Sequence, residues 1–376
     1  MIDLFSNFLS EILIITLGVV ILMQILYYTT LFFRFSFHKQ KPLEPRKNLP
    51  ITIVLVAKND AHQILKTIPE LLAQDYPQFE VLVVNDNSND ETPQVIIDLQ
   101  NRFSNLKLVN LESSVTNIKG KKFPLALGIK AATYEHVLLT DMDCLPASNQ
   151  WVKLMAKHFN DTTKIVLGFN SIRKKVGFFN ALIRYDKLHQ AIQYFSYCLA
   201  KIPCMGVGQN LAYTKTIFFD NKGFASQNHL QFGDDDLLIN QVATSKNCAI
   251  EYEKEAHTIS RPNPNFHNWF LFKIFSKKVR KLYAPKTRFL LNFYHFLMTF
   301  SYIILGITLY LTLQNFVYLI ITLSIIVLKY IIQYVSFGYA AAKLNEKALI
   351  PHILLFDIIF SIMNPVIYVV SRLKKQ

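Results

Sequence analysis

The sequence predicts an α/β domain with a mostly parallel sheet, flanked by transmembrane helices, on three observations. Short apolar runs alternate with helix-length segments between Ile51 and Thr140, the pattern of a parallel sheet covered on both faces. Long apolar stretches stand at both ends of the chain and not in its middle. The middle instead has the mixed polar and charged composition of a globular domain. Of the 376 residues, 51% are hydrophobic and 18% charged, which excludes a disordered chain.

Taken in order, the first element is an anchor. From Ile12 to Phe33 the polar interruptions are only Thr16, Gln24, Tyr27, Tyr28, Thr29 and Thr30, and the length matches the roughly 20 residues that cross a ~30 Å hydrocarbon core. A cleaved signal peptide fits poorly, because Asp3 and Glu11 precede the run without Lys or Arg and no small-residue cleavage site follows. Residues 1–36 are therefore read as an uncleaved anchor, and the proline- and charge-rich residues 37–49 as a linker. At the other end, Phe289 to Tyr310 and Phe316 to Tyr334 are two further membrane helices, joined only by Leu313, Gln314 and Asn315. Ile350 to Val370 is a third segment, interrupted by Pro351, Asp357, Asn364 and Pro365.

Basic residues set the orientation. Arg34, Lys39, Lys41, Arg46 and Lys47 follow the anchor, and Lys273, Lys277, Lys278, Arg280, Lys281, Lys286 and Arg288 precede the second helix. Both flanks of the middle domain are thus expected in the cytoplasm, as parts of a multi-pass inner-membrane protein. A full last crossing would then place Arg372, Lys374 and Lys375 outside, against the same rule. The expectation for residues 289–376 is accordingly two firm helices plus one kinked, re-entrant or interfacial segment, preceded by a basic interfacial stretch at 266–288. The net charge of +14 is concentrated at these flanks, where anionic headgroups attract it, and no nucleic-acid partner is expected. Cys144, Cys198, Cys204 and Cys248 lack CxxC spacing and are expected to be free, reduced thiols.

The cytoplasmic domain covers residues 50–265. Its expected strands are Ile51 to Ala57, Phe79 to Val84, Leu106 to Asn110 and His136 to Thr140; the helices between them are Ala61 to Leu72, Pro93 to Arg102 and Pro124 to Ala132. Ligands of such sheets bind beyond the carboxyl ends of the strands, and polar residues collect there. Lys58, Asn59 and Asp60 follow the first strand, Asn85 to Asp90 the second, and Asp141 and Asp143 the fourth. A loop of Asn, Asp and Ser serves equally as a helix cap. Two carboxylates in D-x-D spacing repel unless a hard cation lies between them.

In their order, the strings VLVAKND, FEVLVVNDNSNDET, KGKKFPLALGIKAA, VLLTDMDCLP, GVGQNLAY and GDDDLLI resemble the membrane-anchored bacterial members of the family 2 glycosyltransferases, over about Pro50 to Tyr283. The resemblance implies a GT-A fold and an inverting transfer from a nucleotide-diphospho-sugar, with a UDP-sugar favoured. By position Asp86 corresponds to the carboxylate that accepts a hydrogen bond from the base, with Ala57, Lys58 and Asp60 bordering the same pocket. Lys119 and Lys121 would meet the diphosphate, or else form a solvated basic turn. Asp143 is the expected ligand of Mg²⁺ or Mn²⁺, with Asp141 either bridging to the ion or contacting the ribose. Such an ion stabilises charge on the departing nucleoside diphosphate. Alignment on Leu237 places the general base at Asp234, with Gly233 where relatives have an acidic residue; Asp235 is the alternative, and Asp235 or Asp236 also suits a helix cap.

Processive synthases of the family carry a Q-x-x-R-W string before their membrane helices. Here the stretch reads KKVRK, with Arg280 kept and Lys277 and Lys281 in place of Gln and Trp. The expectation is therefore transfer of a single sugar to a lipid-linked or membrane-associated acceptor, with a processive polysaccharide synthase or a non-catalytic scaffold as alternatives. Phe178, Phe179, Leu182, Ile183, Ile192, Tyr194, Phe195 and Tyr197 fit two roles equally, an acceptor-touching surface or a helix packed on its own sheet.

Overall fold

A computed structural model describes residues 2–40, 42, 49–111, 120–227, 230, 233–261 and 265–373, with side chains from residue 8 onward. The chain forms two compact units, one of Gln40–Phe266 and one of Met1–Lys39 with His267–Gln376. In chain order the helices are α1 (Ile2–Tyr27), α2 (Phe33–Ser36), α3 (Ala61–Leu72), α4 (Thr92–Gln100), α5 (Lys122–Ala131), α6 (Trp151–Ala156), α7 (Phe178–Leu199), α8 (Lys215–Asp220), α9 (Asp236–Val242), α10 (Phe266–Arg280), α11 (Pro285–Thr312), α12 (Phe316–Lys343) and α13 (Ile353–Leu373). The strands are β1 (Ile51–Ala57), β2 (Phe79–Asp86), β3 (Leu106–Leu111), β4 (His136–Leu139), β5 (Cys144–Pro146), β6 (Ile165–Leu167), β7 (Asn170–Ile172), β8 (Leu211–Thr214), β9 (Cys248–Ile250) and β10 (Thr258–Ser260).

In the first unit a seven-stranded sheet has the order β3-β2-β1-β4-β8-β6-β9. It is parallel except at β8, which pairs antiparallel with β4 and β6. The β-branched run of β1 is buried nearly throughout, as a strand covered on both faces must be. Ile64, Thr67, Ile68 and Leu71 form the buried stripe of α3 at helical spacing. Helix α5 lies directly on the sheet at Gly128, where a Cβ would stand 2.7 Å from Val84 Cγ2 and 2.8 Å from Val54 Cγ1, so a larger residue would force the layers apart. The first four strands fall where the sequence places them, and β2 extends to Asp86. The carboxyl ends of β1, β2 and β4 consequently share one edge. The second sheet, β5-β10-β7, has no counterpart in the sequence-based expectation.

Helix α7 settles between its two readings. Leu182, Ile183, Ile192, Tyr194, Phe195 and Tyr197 are all buried, and Tyr194 Oη donates to the Gly168 carbonyl at 2.8 Å. Tyr194, Phe195 and Tyr197 are core residues, whereas Phe179 is half-buried and Phe178 exposed at the start of the helix.

The second unit is helical. Among the described residues, four helical stretches are long and apolar enough to cross a membrane: Phe8–Ser36, Pro285–Thr312, Phe316–Lys343 and Lys347–Leu373. Contacts within the unit fix their directions. Helices α1 and α12 run parallel, since Tyr318 Oη donates to Glu11 at 2.6 Å near one end and Ser36 Oγ donates to the Ser336 carbonyl at 2.8 Å near the other. Helix α11 opposes α12 across a three-residue turn, Leu313 to Asn315, whose Asn315 side chain accepts from Tyr318 N–H. Helix α13 also opposes α11: Tyr302 Oη donates to Asp357 at 2.6 Å, Thr299 Oγ1 to the Ser361 carbonyl at 3.0 Å, and His295 meets Asn364 at 3.4 Å. In this unit Lys329 and Asp357, each 1% exposed, form an ion pair at 2.7 Å. Asp357 also accepts from Gln333 Nε2 at 2.9 Å, and the Lys329 ammonium sits over the rings of Tyr302 and Tyr330 at 4.5 and 4.6 Å.

Candidate active site

The sheet edge gathers most of the expected residues. After β1, Ala57 is buried and Lys58 Nζ pairs with Asp86 at 3.0 Å, across the ends of β1 and β2. The loops behind them lock together: Asn59 N–H donates to Ser88 Oγ, Asn89 N–H to Asn59 Oδ1, Asp60 N–H to Thr92 Oγ1, and Ala61 N–H to Asp90 Oδ2. Thus Ser88 and Asp90 serve the loop architecture, and Asp86 is the carboxylate left facing outward with Lys58.

Beyond β4 lies a denser cluster. Lys121, at the start of α5, donates to Asp141 Oδ1 at 2.8 Å and stands 3.3 Å from Asp234 Oδ2. Gln209 Nε2 donates to the other Asp141 oxygen at 2.9 Å. Burial opposes the Lys121 charge, but Asp141, Asp234 and Asp235 outweigh it and push the ammonium well above its usual range. Burial likewise opposes ionisation of Asp141, yet the Lys121 charge and the Lys121 and Gln209 hydrogen bonds hold its carboxyl below the usual value. Asp60 is raised, first by burial and then by the charges of Asp90 and Asp141.

Asp234 and Asp235 differ in their commitments. Asp235 Oδ2 accepts from Gly208 N–H at 2.8 Å and its Oδ1 from Asp236 N–H at 2.7 Å, so both oxygens hold backbone at the start of α9. Burial and the Asp234 charge raise the Asp235 carboxyl. Asp234, 7% exposed, faces Lys121 instead. Gly233 has φ of +96°, a backbone conformation that an acidic side chain adopts only with strain, which accounts for the glycine at this place. Lys119 lies outside the described residues.

Asp143 is exposed and accepts from the Cys144 thiol at 3.3 Å. One ligand atom from each of Asp141, Asp143 and Cys144 falls within a 4.8 Å group. Burial and the neighbouring Asp141 charge raise Asp143, while burial and both aspartates push the Cys144 thiol well up, so it remains a neutral S–H donor. Two carboxylates and an unionised thiol suit a hard, oxygen-seeking divalent ion, with Asp143 the oxygen donor least engaged by protein. The fit to Mg²⁺ or Mn²⁺ holds on those grounds, with Asp141 already hydrogen bonded at both oxygens.

Sequence reasoning did not single out Gln209, the Gly208 amide, Tyr213 or Lys187. Gln209 and Gly208 stood inside the quoted string GVGQNLAY, where a neutral amide and a glycine carry no charge to draw notice. The Tyr213 hydroxyl is buried without a hydrogen-bond partner among the described residues, and the charge of Asp234 adds to the burial that raises it. Lys187, on α7, lowers both Asp141 and Asp143 through its charge.

A twisted α/β sheet with acidic loops at the carboxyl edge of its parallel strands is the GT-A architecture of nucleotide-sugar transferases. Residues 52–216 match the family described as Glycosyl transferase family 2, and the chain carries a glycosyltransferase domain of that family. Among curated relatives, the poly-β-1,6-N-acetyl-D-glucosamine synthase of Staphylococcus epidermidis (strain RP62A) is 33% identical over 93 residues, 25% of this chain and 21% of that protein. The protein of the same name from Staphylococcus aureus (strain COL) is 27% identical over 190 residues, 50% of this chain and 42% of its own length. The matches therefore span less than half of these relatives. Among solved structures, the mannosyltransferase PcManGT of Pyrobaculum calidifontis, in complex with GDP-Man and Mn²⁺, shares the fold, with a TM-score of 0.58 and 17% identity over 94% of this chain and 99% of that one.

Proposed function

We propose that this chain transfers one sugar, with inversion, from a nucleotide-diphospho-sugar to a lipid-linked or membrane-associated acceptor, on the cytoplasmic face of the inner membrane. The carrying observation is that a single lysine, Lys121, lies 2.8 Å from the donor-side Asp141 and 3.3 Å from the acceptor-side Asp234. Both carboxylates thus line one site, in which an inverting displacement sets leaving-group stabilisation and proton removal on opposite faces of the sugar. Asp86 accepts the base N–H, with Ala57, Lys58 and Asp60 bordering it, and a UDP-sugar is the favoured donor. Asp143, with Asp141 beside it, holds Mg²⁺ or Mn²⁺, which when bound supplies charge for the departing diphosphate. Lys121 adds a second positive charge there, and Asp234 removes the acceptor hydroxyl proton while Asp235 fixes the backbone around it.

The membrane reading follows from helix directions. Helices α12 and α13 both oppose α11 and are linked only by residues 344–352. Two consecutive full crossings must run in opposite senses, so α13 does not start on the far side. Asp357 pairs with Lys329, which lies fourteen residues before Lys343, or about 21 Å into the helix at 1.5 Å per residue. Near its other end Tyr368 and Arg372 return to α10, with Lys277 Nζ 5.7 Å from the Tyr368 ring. A re-entrant last segment, both ends on the cytoplasmic side, removes the conflict over Arg372, Lys374 and Lys375.

The test is a donor panel. Purified protein in detergent, with Mn²⁺ or Mg²⁺ and UDP-, GDP- and dTDP-sugars, is assayed for nucleotide release with and without membrane lipid extract. Release that depends on the extract and yields singly extended product is expected; transfer only to water-soluble acceptors overturns the acceptor class. The relatives' printed name makes a polysaccharide synthase the second reading, and a ladder of long products would establish it.

A further inference from the structure

We propose that α10 and the end of α13 form a binding site for the phosphate group of a membrane-embedded lipid, built from Lys277, Arg280, Lys281 and Arg372. Residues 266–316 contain seven cations, Lys273, Lys277, Lys278, Arg280, Lys281, Lys286 and Arg288, and no Asp or Glu. The helices bring part of this charge to one ring: Lys277 Nζ lies 5.7 Å and the Arg372 guanidinium 5.4 Å from the centre of Tyr368. Arg372 also donates to the Tyr368 hydroxyl at 3.1 Å, and Lys277 to Asn292 Oδ1 at 3.3 Å. Arg280 is held by Nη1 against His295 at 3.0 Å, while its Nε is buried without a hydrogen-bond partner among the described residues.

Cations so arranged without a counter-charge repel one another. Burial, then Arg280, Lys273 and Lys281, bring the Lys277 ammonium down to about 7, and burial with Arg372 lowers Lys281. An anion relieves that repulsion, and the aromatic and apolar residues of an amphipathic segment place it at the headgroup plane. A phosphate suits the set better than a carboxylate, since it offers several oxygens to two ammonium and two guanidinium groups. Its source is either a phosphorylated glycan-carrier lipid or a bulk anionic phospholipid.

Binding is measured without any nucleotide sugar, so its failure is distinguishable from failure of the proposed transfer. The full chain in nonionic detergent is titrated with a long-chain polyprenyl monophosphate, with phosphatidic acid and with inorganic phosphate. Both lipids are expected to bind at least tenfold more tightly than inorganic phosphate. The double variant Lys277→Gln with Arg372→Gln is expected to lose at least tenfold affinity for them, against less than twofold for Lys286→Gln. The charge-preserving pair Lys277→Arg with Arg372→Lys is expected to stay within threefold of wild type, which separates lost charge from lost folding. A tenfold preference for the polyprenyl phosphate identifies the carrier as the source, and parity identifies a headgroup. Unchanged affinity in the double Gln variant, failure of the charge-preserving pair, or inorganic phosphate binding as tightly as the lipids would each overturn the site. As a second readout, acylation of Lys277 at pH 7.5 by an amine-directed reagent is expected to fall at least fivefold when lipid phosphate is bound; unchanged labelling counts against it.

Discussion

Two lysines, one in each unit, the half-buried Lys121 and the buried Lys329, meet aspartates in opposite ways. Lys329 has one carboxylate, Asp357, whose remaining capacity is filled by Tyr302 and Gln333. Charge there is balanced and the neighbours are hydroxyl and amide, the condition under which a buried pair is tolerated. Lys121 instead faces Asp141 and Asp234 directly and Asp235 through its charge, with Asp143 beside Asp141. Lys187 and Lys122 add charge from farther off, but among the described residues Lys121 is the ammonium in ion-pair contact with Asp141 and Asp234. The balanced cluster is complete as it stands, whereas the unbalanced one is poised for further positive charge, as a site for a metal-bound diphosphate should be.

Breaking the unbalanced cluster should cost activity, and breaking the balanced one should cost stability. Asp234→Asn is expected to lower kcat by about 10² to 10⁴-fold, the range for loss of a general base, with the Kd for nucleotide within threefold. Near-normal turnover in that variant moves the base to Asp235. Lys329→Met is expected to destabilise the chain by about 3–5 kcal/mol, because it strands a buried carboxylate. Adding Asp357→Leu should restore most of the loss in thermal unfolding in detergent. If the double variant unfolds as readily as the single, Lys329 and Asp357 have roles beyond pairing with each other.

The contrast also separates what the sequence could tell from what it could not. Strands β1 to β4 were legible because β-branched runs and intervening helical spacing are local signals. Strand β8 and the sheet of β5, β10 and β7 were not, since three- and four-residue strands pair across long separations with no local signature. Acidic site residues stood out because carboxylates after buried strands need a reason, but Gln209 was hidden by its neutral side chain. The glycine at 233 was visible as a departure and became explicable only through its φ. Helix α7 was ambiguous for a physical reason: a helix apolar on most of its surface is equally suited to protein core or to lipid.

A smaller effect should follow at the metal position. Asp143→Ala is expected to abolish the enhancement of nucleotide-sugar binding by Mn²⁺, a loss on the order of 10 to 100-fold in affinity at saturating ion, by analogy with the cost of disturbing a metal's supporting groups. Binding in the absence of the ion should change little. A variant that responds to Mn²⁺ as the wild type does would remove Asp143 from the ligand set.

The third lysine–aspartate pair, Lys58 with Asp86, marks the lower limit of the comparison. Its side chains are 58% and 22% exposed, so water screens the 3.0 Å contact, and Lys58→Met is expected to change stability by under ~1 kcal/mol. The nucleotide should distinguish the two partners. If Asp86 accepts a base N–H, Asp86→Ala is expected to weaken UDP binding by at least tenfold, in keeping with about 1.5–3 kcal/mol for a hydrogen bond to a charged group. Lys58→Met should leave affinity within threefold or tighten it, because Lys58 competes for the same oxygens. Equal losses from both substitutions, measured by UDP titration, would instead make Lys58 a contact of the diphosphate, and the exposed pair would then belong with the unbalanced cluster.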